Sequence, residues 1–230
     1  HAAAQVTTRA QAAAATTATP AIRRGELLTR VRGCEEWAEV AGMVGLFTTN
    51  TTPSRFHPQL MAGGKNPRHD GSTPREAQAW LSKTWAKTRA ALQRKGVPFF
   101  GFRVAEPHHD GCPHWHMLLW TNPGHLSALR DTMRAYWLKD AGDEPGAQSY
   151  RFNAKAMDAG GAVGYIAKYI TKGIDDVGAL AEEGHTDERE GQQAELYGAG
   201  ANGVRAWASA HGIRQFQAIG QPPVTVWREL

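Results

Sequence analysis

The sequence predicts an α+β domain: a central antiparallel sheet of about five strands with helices packed on it. Three observations carry that reading. Residues 97–106 and 112–120 are strand-like and are joined by the turn sequence "HHDG", which reads as a hairpin. Segments of helical period separate the strands. A chain of 230 residues is long enough to bury a real core.

The elements follow in order. Residues 1–22 are Ala- and Thr-rich without an apolar stripe and read as a frayed helix or tail. Residues 23–42 show helical spacing at Leu27, Leu28, Val31, Trp37 and Val40. "MVGLFTTNT" (43–51) reads as a strand, and the Pro- and Gly-punctuated 53–74 as a loop. Residues 74–96 form a helix with Pro at its start and Gly at its end. After the hairpin come a helix (123–142), a strand (148–157) and a short helix (161–173). The acidic stretch 175–195 reads as an exposed loop, followed by a helix (203–212) and a strand (213–220). We expect one domain over 23–230. The chain begins at His1 and ends at Leu230 within a helix-like stretch, which reads as a piece of a longer protein.

Charge is unevenly spread. The formal net charge is +4, but residues 175–195 hold eight acids and one arginine, which leaves the rest at +11. A body that basic favours a polyanionic partner. Two cysteines, Cys34 and Cys112, make no disulfide framework and suit a reducing cytoplasm. No apolar run approaches the roughly 18 residues a membrane span needs.

"EPHHDGCPHWHMLLW" (106–120) concentrates the chemistry. Side chains alternate across a strand, so His114 and His116 share a face and Trp115 takes the other. We expect the histidines on a polar site, and Trp115, Leu118 and Trp120 on the opposite, core-facing side. Two imidazoles at this spacing can bind one metal ion. A three-residue turn at 109–111 ending in a left-handed Gly111 would pair Glu106 with His114 and bring its carboxylate to the same face. A two-residue turn would send Glu106 to the Trp115 side. Two nitrogens and one oxygen, with open positions, suit Mg²⁺ or Mn²⁺ beside a phosphate. His108, His109 and Asp110 are rival ligands, expected in solvent on the turn.

"GYIAKYITKG" (164–173) places Tyr165, Lys168, Tyr169 and Lys172 on one helical face, with Ile166 and Ile170 on the buried one. Ammonium groups beside a phenol favour its ionised form, the better nucleophile. In the 53–74 loop, Arg55, His57, Lys65 and Arg68 can contact phosphates. Phe47, Phe56 or Trp80 would stack bases if exposed.

Glu106, His114 and His116 followed by Y-x-x-K-Y resembles the HUH endonuclease superfamily. The order of blocks most resembles the replication gene A proteins of tailed phages and prophages, which are rolling-circle replication initiators. "FTTNTTPSRFHP" (47–58) is similar to that family's first motif, 106–120 to its metal motif and "GYIAKYITKGID" (164–175) to its nucleophile motif. "GIRQFQAIGQPPVTVWREL" (212–230) is similar to its tail. The resemblance implies an HUH-type fold and a Mg²⁺- or Mn²⁺-dependent endonuclease that nicks single-stranded or melted origin DNA. A tyrosine would keep the 5′-phosphate as an ester and free a 3′-OH; a second tyrosine would serve the second cleavage, with Tyr165 attacking first. Metal motif before tyrosines fits a replication initiator rather than a relaxase, and paired tyrosines fit it better than a transposase. No G-x-x-x-x-G-K-[ST] occurs, so the resemblance also implies a host helicase and polymerase, in the cytoplasm of a bacterial host. The rival readings are a transposase or relaxase-like nickase, a phosphodiesterase using water, and a non-catalytic DNA-binding relative.

Overall fold

A computed structural model describes residues 20–158, 161–174 and 201–221. The expectations for residues 1–19, for the acidic loop 175–195 and for the tail beyond 221 lie outside them. The described elements are α1 (Pro20–Val40), β1 (Val44–Asn50), α2 (Pro74–Arg94), β2 (Phe100–Pro107) and β3 (Pro113–Thr121). They continue with α3 (Leu126–Trp137), the single turn α4 (Ala147–Tyr150), β4 (Phe152–Met157), α5 (Ala162–Ile174), α6 (Ala201–Ala210) and β5 (Phe216–Ile219).

The five strands form one antiparallel sheet in the order β4-β1-β3-β2-β5. The α+β expectation holds. The expected helix 123–142 is shorter, and the first residues of the expected strand 148–157 belong to α4.

Helix α2 starts where its sequence dictates. Thr73 Oγ1 accepts from Glu76 N, the Glu76 carboxylate accepts from Thr73 N, and Pro74 occupies the first turn. The chain leaves the helix through Gly96 at φ +65°, a left-handed conformation that favours glycine.

Both sheet faces are covered, which corrects one expectation. Trp115, Met117 and Leu119 pack with Leu46 of β1, with Leu81, Trp85 and Leu92 of α2, and with Leu129, Met133 and Trp137 of α3. Leu118 and Trp120 do not join them. They share the face of the histidines, as alternation from His116 requires, and pack with Phe47, Phe102 and Val104 under Val31 and Ala38 of α1 and Ile166 and Ile170 of α5. Central strand β3 is therefore buried on both sides throughout, and an apolar run such as "MLLW" records that rather than one face. On α1, Val31, Cys34 and Ala38 form the buried stripe, while Trp37 and Val40 are exposed.

Candidate metal centre and tyrosine helix

The hairpin sets the centre. His108 N donates to Cys112 O at 2.8 Å and Gly111 N to His108 O at 2.9 Å, with Gly111 at φ +84°. That is the three-residue turn. Glu106 consequently pairs with His114, Pro107 with Pro113 and Val104 with His116. Glu106, His114 and His116 bring one ligand atom each to within 4.8 Å of one another.

The donor set fits a divalent ion. His114 Nε2 and His116 Nε2 are 2.9 Å apart, and Glu106 Oε2 is 3.7 Å from His116 Nε2. Two ligands held at about 2.1 Å on adjacent octahedral positions stand about 3.0 Å apart, so the imidazoles converge as ligands of one ion would. Thr49 Oγ1, from the paired position on β1, lies 3.2 Å from His116 Nδ1. If Nδ1 carries the proton and donates it there, Nε2 keeps its lone pair for the metal.

The rival ligands are not in solvent. The Asp110 side chain has 0% exposure, and its Oδ2 lies 2.9 Å from His57 Nδ1. Its Oδ1 accepts from Cys112 N. His57 Nε2 lies 3.1 Å from Thr52 Oγ1. Burial opposes a charged His57, but hydrogen bonding to Asp110 and the nearby Cys112 outweighs it and lifts the imidazole to about 10. Burial raises the Asp110 carboxyl, and His57 more than offsets that, leaving it below its ordinary range. His108 lies against His114 with ring centroids 4.0 Å apart and planes tilted by 31°, and meets His57 edge-on at 5.1 Å. Burial, reinforced by His114, holds its pKa well below the ordinary imidazole range. The turn is thus a packed histidine row behind the ligands, which a reading of it as a surface loop missed.

The tyrosine helix lies on the Glu106, His114 and His116 cluster. Tyr169 stacks on His116 with ring centroids 3.8 Å apart and planes 19° from parallel. Phe47 sits against His116, Tyr165 and Tyr169 at 5.6–5.8 Å. Tyr169 is 5% exposed and shares the buried stripe with Ile166 and Ile170, so the four-residue polar face expected from the sequence is split. Tyr165 is half-buried at the edge of the cluster, where Lys155 Nζ of β4 donates to its phenol oxygen at 2.6 Å. Lys168 and Lys172 lie on the same helix; their side chains fall outside the described residues. Glu35 of α1 accepts from the N–H groups of Gly161 and Val163 and so ties down the start of the helix.

Of the loop residues, Arg55 is bidentate to Asp140 at 3.1 and 2.7 Å and lies 3.7 Å from Asp70. His57 is the Asp110 partner, while Lys65 and Arg68 are exposed. Phe47 and Phe56 are each 8% exposed, so these two rings build the protein interior rather than a base-stacking platform, while Trp80 is half-buried and donates its indole N–H to Asp140. Sequence reasoning also missed Lys155, Thr49 and Glu35. Alternation along β4 and β1 marks the faces of Lys155 and Thr49, but only the β1–β4 register, in which Phe47 faces Lys155, brings Lys155 toward α5.

The family model described as bacteriophage replication gene A protein matches residues 4–177. The replication gene A protein of Escherichia phage 186 is 46% identical over 93% of this chain and 30% of its own length. That of Escherichia phage P2 is 40% identical over 92% and 28%. A probable replication endonuclease from a prophage-like region of Salmonella typhimurium is 36% identical over 94% and 26%. The chain therefore spans less than a third of these relatives. No solved structure matches it. No helix among the described residues is long and apolar enough to cross a membrane. By family model and by relatives alike, the chain belongs to the bacteriophage replication gene A proteins.

Proposed function

We propose that this domain is an HUH-type endonuclease that nicks and rejoins one strand of origin DNA through a 5′-phosphotyrosine ester, starting rolling-circle replication. The observation that carries the proposal is the stacking of Tyr169 on His116, which seats a two-tyrosine helix directly on a two-histidine, one-carboxylate cluster. The name replication endonuclease, borne by relatives in Salmonella, points the same way.

The chemistry follows from placement. The phenol oxygen of Tyr165 attacks the scissile phosphorus, the new P–O bond forms and the bond to the 3′ oxygen breaks. The phenol loses a proton and the leaving oxygen gains one, so the 3′-OH is free to prime synthesis. Rejoining is the reverse step, because the tyrosyl ester retains the bond energy. A divalent ion, Mg²⁺ or Mn²⁺, held by Glu106, His114 and His116 would polarise and orient the phosphate. Tyr165, half-buried, attacks first; Tyr169, packed under the His116 ring, serves the second cleavage after a small shift of α5. Lys168 and Lys172 hold phosphate on the same helix.

Single-stranded or melted DNA approaches across the 53–74 loop, where Lys65 and Arg68 meet phosphates. Arg55 and His57 contribute by fixing that loop. A host helicase and polymerase in the bacterial cytoplasm supply unwinding and synthesis.

The test incubates the chain, Tyr165→Phe, Tyr169→Phe and the double variant with a randomised pool of end-labelled single-stranded DNA and Mn²⁺. The parent should form a covalent adduct at Tyr165, mapped by mass spectrometry. The double variant should bind DNA and form none. Cleavage without any adduct would replace this reading with hydrolysis by water.

A further inference from the structure

We infer that Lys155 is a catalytic residue, which holds the phenol oxygen of Tyr165 and stabilises the negative charge that develops on it during attack. The inference rests on the tyrosine-nucleophile reading above.

Three observations carry it. Lys155 Nζ donates to Tyr165 Oη at 2.6 Å, which is short for a lysine hydrogen bond, and lies 4.8 Å from the centre of the same ring. Among the described residues no carboxylate pairs with Lys155. A surface lysine that serves stability or solubility needs no phenol partner; this one meets the proposed attacking atom. Finally, Lys155 stands on the sheet. It faces Phe47 across β1–β4, Phe47 faces Leu118 across β1–β3, and Thr49 two residues on faces both Asn153 and His116. The lysine and the metal ligands are thus fixed to one another through hydrogen-bonded strands.

That placement separates Lys155 from Lys168. A lysine on α5 travels with the tyrosines. A lysine on β4 stays with the metal cluster and marks where the attacking oxygen must sit. Preorganised charge at that point lowers the barrier because no group has to reorient as the reaction proceeds.

The proton balance is simple. Lys155 keeps its protons throughout and acts by charge. The phenol proton is released, the Tyr165 oxygen bonds to phosphorus, and the departing 3′ oxygen takes up one proton.

The experiment is single-turnover adduct formation at saturating DNA, using the randomised single-stranded pool and Mn²⁺, with DNA affinity measured separately. Lys155→Met should slow adduct formation on the order of 10–100-fold while thermal unfolding and Mn²⁺ affinity stay at parental values. Lys155→Arg should recover much of the rate, since the charge is kept. In a Tyr165→Phe background, where residual adduct forms at Tyr169, Lys155→Met should have little further effect, because the two residues act as a unit. An equal slowing in both backgrounds would overturn the inference, as would weakened DNA binding with an unchanged saturating rate. Parental adduct formation by Lys155→Met would overturn it and leave the nuclease reading intact. A parent that forms no adduct would overturn both.

Discussion

Strand β3 is buried on both faces of the sheet, and the two faces are differently furnished. On one, Trp115, Met117 and Leu119 meet Trp85, Met133 and Trp137 under α2 and α3, and the buried polar groups beside them, Thr48, Asn50 and Arg103, are held by hydrogen bonds and by the Arg103 guanidinium over the Trp115 ring. On the other, the same strand sends Glu106's neighbours His114 and His116, each at most 6% exposed, into a layer that α1 and α5 cover. Burying polar groups costs stability unless they are bonded, and a fold gains nothing from two imidazoles where leucines would pack. The difference teaches that β3 divides by residue parity: odd positions face α2 and α3, and even positions near the turn hold the proposed metal ligands. The division is graded, because Leu118 and Trp120, also even, return to core packing beyond the site.

The sharpest way to break that comparison is to truncate one residue from each face. Trp115→Ala should cost about 3–5 kcal/mol of unfolding free energy, read by denaturant titration. His116→Ala should change stability far less, yet abolish tight Mn²⁺ binding by isothermal titration calorimetry. Parent protein with Mn²⁺ at about 100 times its Kd should gain about 2.7 kcal/mol, and the His116 variant none. A His116→Ala protein as unstable as Trp115→Ala would mean that both faces are structural.

The second test probes the histidine row behind the ligands. His57, raised to about 10 from an ordinary 6.5, stabilises the fold fully below pH 6.5 and ceases to as pH rises toward 10. Asp110, held below its ordinary range, stabilises above that range and loses its contribution as pH falls through it. Stability from the pair should therefore plateau between about pH 4 and 6.5 and decline on either side. Asp110→Asn leaves His57 without its anion and should cost about 3–5 kcal/mol on the plateau. Its deficit should shrink toward pH 10. A deficit that is constant from pH 6 to 10 would show that His57 is neutral in the fold.

Much of this was legible in the sequence, for local reasons. The hairpin was readable because Asp110-Gly111 marks a turn, but its length was open between two and three residues, and the parity of Glu106 rests on the three-residue turn that forms. The sheet was readable because strand and helix periods alternate cleanly. The burial of both faces of β3 was not, because a run such as "MLLW" is apolar whichever helices cover it. The half-buried state of His57, His108 and Asp110 was also hidden: polar turn residues suggest solvent, and only the tertiary approach of the 53–57 segment to the turn covers them. Lys155 needed a strand register that composition does not fix. Tyr169 shows the same limit from the other side, since Ile166, Tyr169 and Ile170 form as good a helical stripe as Tyr165, Lys168 and Tyr169.

The smallest expected effect sharpens the comparison most finely. Thr73 and Glu76 form the capping box of α2, the helix that covers the Trp115 face. Thr73→Ala removes the hydroxyl that accepts from Glu76 N and leaves the rest of the helix unchanged, so it should cost about 1 kcal/mol. The loss should appear in the unfolding midpoint alone. Yet Thr73 also ends the loop that carries Arg55 and His57, and His57 contacts the turn through Asp110. Independent faces predict unchanged Mn²⁺ affinity in Thr73→Ala. A parallel drop in Mn²⁺ affinity would instead show that strain at the α2 cap reaches the ligands through the loop and the histidine row. The sheet would then separate the two faces in packing but not in energy.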